Sequence, residues 1–197
     1  VAAVDPLGYR TTYTYDDAGR QLTTTNPDGK TSTVVYDAAS QVVAAINPLG
    51  NRVTSVYDAA GQAIASVDPL GNRTTMSYDA AGRQIAVRDA NENVTSTVYD
   101  AVSRVVSSVD ALGNRATQVY DAAGRRIAMI DERSNRTTFS YDEVGRQTEQ
   151  LGAVGNRITF AYDAAGQNTL RIDGRGYRTT CLYDDAGRLT NRVYPDG

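Results

Sequence analysis

The side chains in this 197-residue sequence that could do chemistry are aspartates, arginines and tyrosines, because histidine is absent and cysteine occurs once, at Cys181. Without histidine there is no histidine general base and no histidine-containing triad. A single cysteine allows neither an internal disulfide nor a cysteine-cluster zinc site. Cys181 also lacks a histidine base that could activate it, so we do not expect it to be a nucleophile.

The aspartates raise the possibility of calcium loops or of a carboxylate pair for glycoside hydrolysis. They lack the alternating oxygen ligands of a calcium loop, and no pair stands apart from the others. Turn chemistry accounts for them instead. We therefore predict no catalytic, cofactor-binding or metal-binding residues, no cofactor and no enzymatic activity in this chain.

Charge and hydropathy limit the classes of partner that we expect. Twenty basic and 23 acidic residues give a net charge of −3, which argues against a nucleic-acid partner. No apolar run approaches the ~18–20 residues of a membrane span. The chain begins at Val1 in the middle of a repeating pattern and shows no capping repeat, so we expect a fragment of a longer protein.

The dominant feature of the sequence is a repeat of 21 residues, marked by the dipeptide Tyr-Asp. A fixed period of this size indicates a repeat architecture, and we predict one tandem array over residues 1–197. Positions below are counted from each tyrosine as position 0. These tyrosines are Tyr15, Tyr36, Tyr57, Tyr78, Tyr99, Tyr120, Tyr141, Tyr162 and Tyr183.

Two turns are predicted in each repeat, because glycine recurs at +4 and at +14 and permits a positive φ. The first turn, as in residues 78–83, is predicted to be a type I turn followed by a left-handed glycine. The second, as in residues 68–72, carries all five prolines at one position and is predicted to be type I. The prolines are Pro6, Pro27, Pro48, Pro69 and Pro195, and the residues that replace glycine are Ser40, Glu92, Ser103 and Ser134.

Between the turns lie short segments rich in Thr, Val, Ile and Tyr, such as residues 62–67 and 73–78, which predict strands and an all-β fold. Two arrangements fit: an antiparallel meander of β-hairpins, or a β-solenoid with one rung per repeat. Tight bulged loops return a strand beside itself, which favours the meander. Large aliphatic residues are few, so we expect stability to come mainly from the hydrogen-bonded sheet.

Identical positions in such a sheet form rows of like residues. The tyrosines would form one row. Seven arginines at −5 would form another, which we expect the aspartates at +1 and +11 to neutralise. The rows of tyrosine and arginine could also bind a ligand, so adhesion to glycans or to a protein is an alternative function. The arginines are Arg10, Arg52, Arg73, Arg115, Arg136, Arg157 and Arg178.

The consensus Gly-Asn-Arg-Thr-Thr-x-x-Tyr-Asp-Ala-Ala-Gly-Arg, followed by Asp-Pro-Leu, resembles the YD repeat of the Rhs family over the whole chain. That family includes Rhs polymorphic toxins, shell-forming components of Tc toxins, wall-associated proteins and teneurins. The resemblance implies hairpins spiralling into a hollow shell, and in the toxin members a toxic C-terminal segment is enclosed. We therefore expect a structural segment that forms the wall of such a shell or of an extended fibre. The resemblance also implies a secreted or cell-surface location.

The partners that we expect are further repeats or identical chains at open sheet edges, an encapsulated toxin polypeptide, and surface glycans. The family also has an aspartyl self-cleavage core. We assign no residue of that core to this chain, because Asp5 and Asp68 belong to recurring turns. Three second turns, at residues 89–93, 131–135 and 152–156, depart from the consensus, and we expect these loops to bulge.

Overall fold

The computed structural model describes residues 1–194, and these contain β-strands and turns but no helix. The strands are short because a turn signal follows each run of β-branched residues. They are β1 Ala2–Val4, β2 Arg10–Tyr15, β3 Gln21–Thr25, β4 Thr31–Tyr36, β5 Val42–Ile46, β6 Arg52–Tyr57, β7 Ala63–Val67, β8 Arg73–Tyr78, β9 Gln84–Arg88, β10 Val94–Tyr99, β11 Val105–Val109, β12 Arg115–Tyr120, β13 Arg126–Ile130, β14 Arg136–Tyr141, β15 Gln147–Leu151, β16 Arg157–Tyr162, β17 Asn168–Ile172, β18 Arg178–Tyr183 and β19 Leu189–Val193.

Within β1–β10 and within β11–β19, each strand pairs antiparallel with the strand that follows it in the chain. Residue 65 lies opposite residue 75 across β7 and β8, for example, and the same register recurs 21 residues later in each repeat. The antiparallel meander is therefore confirmed, and a parallel β-solenoid is excluded. The chain comprises two compact units, Val1–Ser96 and Thr97–Gly197.

The two turns of each repeat share one geometry. In the first turn the Asp58 N–H donates to the carbonyl of Gln62, and the Gly61 N–H donates to the carbonyl of Asp58. In the second turn Asp68, Asn72 and Gly71 make the same two bonds. Both are type I turns closed by a left-handed residue, so the predicted turn types are confirmed.

Aspartate suits the first position of these turns because its side chain bonds the loop backbone. The Oδ1 of Asp68 accepts the N–H groups of Leu70 and Asn72, at 2.8 and 2.9 Å. The Oδ1 of Asp58 accepts the corresponding N–H groups of Ala60 and Gln62. The aspartates therefore stabilise turns, as their spacing indicates.

The expectation that the three irregular loops bulge is wrong. Turns 89–93, 131–135 and 152–156 close with the same pair of backbone hydrogen bonds as the regular ones. Where glycine is missing, the replacing residue takes the left-handed conformation, with φ between 64° and 67° at Ser40, Glu92, Ser103 and Ser134. The register of the sheet thus overrides the local preference of these side chains. Pro195 and Gly197, which belong to the predicted turn positions, lie outside the described residues.

Placing glycine at a left-handed turn position, or removing it from one, is expected to change stability in opposite directions. Because a left-handed L-residue costs about 1–2 kcal/mol, Ser134→Gly should raise the free energy of unfolding by up to about 1 kcal/mol. At the equivalent site one repeat earlier, a Cβ added to Gly113 would meet no atom within 4 Å, so Gly113→Ala should lower stability through the backbone alone. Urea unfolding of both variants measures the difference. Equal midpoints would contradict the expectation.

Burial is slight throughout residues 1–194. The fully buried side chains are small: Ala44, Ala65, Ala128 and Ser107, with exposures of 0–4%. All four occupy position +8, in the middle of the second strand of a repeat. There they lie opposite position −1 of one neighbouring strand and −3 of the other. The sheet therefore depends on its hydrogen bonds, with a thin row of small residues in place of a core of large ones.

Ser107→Ala is expected to stabilise the chain. The Ser107 Oγ is buried and has no hydrogen-bond partner within the described residues, whereas the equivalent residues Ala65 and Ala128 bury only a methyl group. Removing an unsatisfied buried hydroxyl should add about 1 kcal/mol to the free energy of unfolding. Thermal unfolding followed by circular dichroism measures this, and a lower midpoint would contradict it.

Candidate functional site: a lock between successive hairpins

The first turn of the repeat carries an ion pair inside its own loop. In six repeats the arginine at +5 donates from Nε to the Oδ2 of the aspartate at +1, at 2.6–2.8 Å. The pair is half-buried in most repeats; the side chains of Arg146 and Asp142 are 33% and 22% exposed. The aspartate, already fixed by the turn, thereby orients the guanidinium group.

The same arginine also reaches the next repeat. Arg146 Nη1 donates to the carbonyl of Asp163, at 2.9 Å, and its guanidinium carbon lies 4.8 Å from the ring centre of Tyr162. Arg20, Arg104 and Arg125 make the same two contacts with the repeats that follow them. A guanidinium over a tyrosine face is an attractive cation–π contact.

The tyrosine completes the connection in the opposite direction. Tyr162 Oη donates to the carbonyl of Gln147 in the preceding repeat, at 2.8 Å. Equivalent bonds span 15 residues at five further tyrosines, with distances of 2.8–3.1 Å; these are Tyr57, Tyr78, Tyr120, Tyr141 and Tyr183. We call the aspartate, arginine and tyrosine at +1, +5 and 0 of the next repeat the inter-repeat lock.

Where arginine is missing at +5, glutamine replaces it, at Gln41, Gln62 and Gln167. Its amide also lies against the next loop: a Cβ added to Gly61 would be 3.0 Å from Nε2 of Gln41. Every one of the nine repeats carries Arg or Gln at this position. That restriction is the sequence signal for the lock, whereas turn chemistry alone predicts the position only as part of a turn.

The expectation that the aspartates at +1 and +11 neutralise the seven arginines at −5 is wrong. The aspartates at +1 bind the arginines at +5, and those at +11 bind their own turns, as when Asp68 Oδ2 accepts from the Asn72 amide. Arg157 is the one member of the −5 row with an ion pair within the described residues, to Glu149 at 3.1 Å. The two arginine positions thus have different environments in the same sheet.

Hydrogen bonding holds the pKa of many turn aspartates below the usual range. At Asp79 and Asp121 the guanidinium bond of the lock is the main cause, followed by a backbone N–H. At Asp68 and Asp110 the main cause of the lowered pKa is the side-chain amide of the asparagine four residues on. In each case the bonds favour the charged carboxylate.

These lowered pKa values predict a loss of stability in acid. A carboxylate with a lower pKa in the folded state stabilises the fold above its unfolded pKa, about 4, and this contribution disappears as pH falls through the folded pKa. The thermal midpoint should therefore drop between about pH 5 and pH 2. Asp68→Asn, which copies the natural Asn47 of an equivalent turn, should reduce that drop. A midpoint that is constant over this range would contradict the prediction.

Other candidate groups remain isolated in the structure. Cys181 is half-buried and lies opposite Arg192 across β18 and β19. Among residues 1–194, no three His, Cys, Asp or Glu side chains are grouped in a way that could hold a metal ion. No helix in the described part of the chain could span a membrane.

The lock and the double-turn geometry define a protein of tandem β-hairpin repeats. The family model described as RHS Repeat matches residues 1–31, 57–98, 99–136 and 120–157, which is more than half of the chain. The chain belongs to the RHS repeat family, and the resemblance seen in the sequence is confirmed. No curated protein matches it in sequence.

Solved structures of Tc toxin components share the fold. The crystal structure of TcdB2-TccC3-TEV aligns with 94% of this chain at a TM-score of 0.67 and 16% identity, and the aligned part is 11% of that chain. TcdB2-TccC3 without its hypervariable C-terminal region and the Photorhabdus luminescens Tc holotoxin pore both give a TM-score of 0.53. Their identities are 15% and 16%, and they cover 99% and 95% of this chain, but only 13% and 12% of their own. The chain spans between 11% and 13% of these larger proteins.

Proposed function

We propose that this chain is a non-catalytic wall segment of a secreted, toxin-like protein, in which RHS repeats form a shell around a toxin polypeptide. The observation that carries the proposal is the repetition of the lock: Asp, Arg or Gln, and Tyr recur at the same three positions in every repeat, and in four repeats the arginine contacts the tyrosine of the next hairpin. Each repeat thus interacts mainly with its neighbours, so that the array can be extended by adding copies.

The burial pattern supports a wall. A globular domain of this length buries large aliphatic side chains, whereas residues 1–194 fully bury only alanines and one serine. Backbone hydrogen bonds and the inter-repeat locks stabilise a sheet without requiring a second layer. Such a sheet covers a large area with few residues, which is the requirement for a container.

Family membership supports the toxin context. Two of the structures that share the fold contain TcdB2 and TccC3, and one of these two lacks a hypervariable C-terminal region. By analogy, we propose that residues 1–197 act as a single array, and that their partners are further RHS repeats and an enclosed polypeptide. The same analogy supports a location outside the cell that makes the protein.

Electron microscopy of the natural polypeptide that carries these repeats tests the proposal. A hollow particle with density inside, whose enclosed segment resists protease until the particle is opened with denaturant, is the expected result. Filaments would support a fibre instead of a container. Particles whose whole chain is digested at one rate under native conditions would contradict encapsulation.

The adhesion alternative receives no support from the tyrosines. In six repeats the tyrosine hydroxyl donates to a backbone carbonyl, and in four repeats an arginine covers one ring face. Groups engaged in this way hold hairpins together and offer little surface to a sugar ring.

A further inference from the structure

The arginine at position −5 of the repeat takes no part in the inter-repeat lock. In the second unit, Arg115, Arg136, Arg157 and Arg178 begin four successive even-numbered strands, and we call them the arginine row. All four are exposed. Of these four arginines, Arg157 alone has an ion pair within the described residues, and its side chain remains 60% exposed.

The register places the four side chains of the arginine row on one face of the sheet. Each lies opposite the last residue of the preceding strand, and that residue is aliphatic: Val109, Ile130, Leu151 and Ile172. Because equivalent positions two strands apart have the same orientation, the row repeats at about 9.6 Å, twice the ~4.8 Å between strands.

The turn aspartates closest in sequence to Arg115 and Arg136 do not pair with them. The turn aspartates Asp110 and Asp131 direct both carboxylate oxygens at their own loops, where they accept backbone N–H groups and the amides of Asn114 and Asn135. Like charges at about 9.6 Å are separated by roughly one Debye length at physiological salt, so they still repel one another weakly. A ligand with matching negative charges would relieve that repulsion.

One member of the row, Arg136, also lines a depression in the sheet surface. Arg136 and Thr138 border a cleft of about 450 Å³ between the turns at 131–135 and 152–156, together with the aliphatic side chain of Leu151. A guanidinium beside a hydroxyl donates several hydrogen bonds in fixed directions, which suits a carboxylate. The apolar side of the cleft can contact the backbone and side chains of an extended peptide.

We propose that the arginine row binds an extended acidic polypeptide that lies across the strands and carries a carboxylate at every third residue. A polyproline II chain has three residues per turn and rises 3.1 Å per residue, so every third side chain points the same way at intervals of about 9.3 Å. This matches the row to within a few tenths of an ångström. Unfolded chains favour that conformation, so the ligand needs little ordering.

Binding of a labelled peptide to the complete 197-residue chain tests this inference. The probe is a 15-residue peptide of five Glu-Pro-Ser triplets, and its affinity is measured by fluorescence anisotropy at physiological salt. A second peptide of the same composition, with its glutamates consecutive, tests the spacing. We expect the first to bind about tenfold more tightly than the second, which corresponds to 1.4 kcal/mol.

Two variants of equal charge separate the row from general electrostatics. The row variant combines Arg115→Gln, Arg136→Gln and Arg178→Gln. The control variant combines Arg133→Gln, Arg171→Gln and Arg192→Gln, which lie in a turn tip or at strand positions outside the row. The row variant should lose about tenfold or more in affinity while the control changes less than twofold, both with unchanged circular dichroism.

Equal losses in both variants, or equal binding of the two peptides, would overturn the inference. So would binding of a sulfated polysaccharide without binding of the spaced peptide. Binding of the spaced peptide requires neither a closed shell nor an enclosed toxin. A negative result here would therefore leave the wall function intact, whereas a solid particle or a filament in the microscope would leave this peptide site intact.

Discussion

Replacement of Tyr162 by leucine is expected to lower the free energy of unfolding by about 2–3 kcal/mol. The change removes the hydroxyl bond to Gln147, worth about 1 kcal/mol, and the cation–π contact with Arg146, worth about 0.5–1 kcal/mol, together with ring packing. Chemical denaturation measures the loss. The matched control is Tyr9→Leu: this tyrosine is 58% exposed and stands outside the lock, so its loss should be below about 0.5 kcal/mol.

A double-mutant cycle with Arg146→Gln and Tyr162→Phe would test whether the lock acts as a unit. Arg146→Gln copies the glutamine found at Gln167, and Tyr162→Phe removes only the hydroxyl, so neither change disturbs the turn. Because both groups join the same two hairpins, their effects should be coupled by about 0.5 kcal/mol or more. Strict additivity would show that the two groups act independently, whereas equal losses at Tyr162 and Tyr9 would show that the lock adds nothing to the sheet.

Replacement of Ala128 by leucine is expected to destabilise the chain by about 2–3 kcal/mol. Ala128 is completely buried, and Val119 lies opposite it on the neighbouring strand. Three added carbons have no space there, and overpacking of this kind typically costs about 1–3 kcal/mol. Thermal or chemical unfolding measures the change, and Ala123→Leu, at an exposed turn tip, is the neutral control.

The chain itself contains the compensating pair. One repeat-equivalent site carries Leu170 opposite Ala161, which reverses the sizes of Ala128 and Val119. Adding Val119→Ala to Ala128→Leu should therefore recover at least half of the lost stability. No recovery would mean that position +8 is limited by something other than its cross-strand partner.

The sequence predicted those parts of the fold that depend on local chemistry. A glycine that needs positive φ, a proline at the second turn position and an aspartate that bonds its loop act within five residues, so their spacing revealed both turns. The meander followed, because tight loops return a strand beside itself. The left-handed conformation of Ser134 could not be predicted in this way. A side chain that costs about 1–2 kcal/mol in this conformation can either distort the loop or stay in place with a strained backbone.

The candidate site was harder to predict, because its contacts join residues 15–17 positions apart in neighbouring hairpins. Arg125 and Arg136 are the same residue type and both stand near aspartates in the sequence. Only the structure shows that Arg125 is held by Asp121 and covers Tyr141, while Arg136 faces solvent. The restriction of +5 to Arg or Gln would have distinguished the two positions.

The lock has a direction, and that direction matters while the protein is being made. Each arginine belongs to the earlier hairpin and the tyrosine it covers to the later one, as with Arg146 and Tyr162. At a translation rate of about 5–20 residues per second, a new repeat leaves the ribosome every one to four seconds, roughly. The nascent hairpin then meets a partner that is already folded, so the array can assemble one hairpin at a time behind the advancing ribosome.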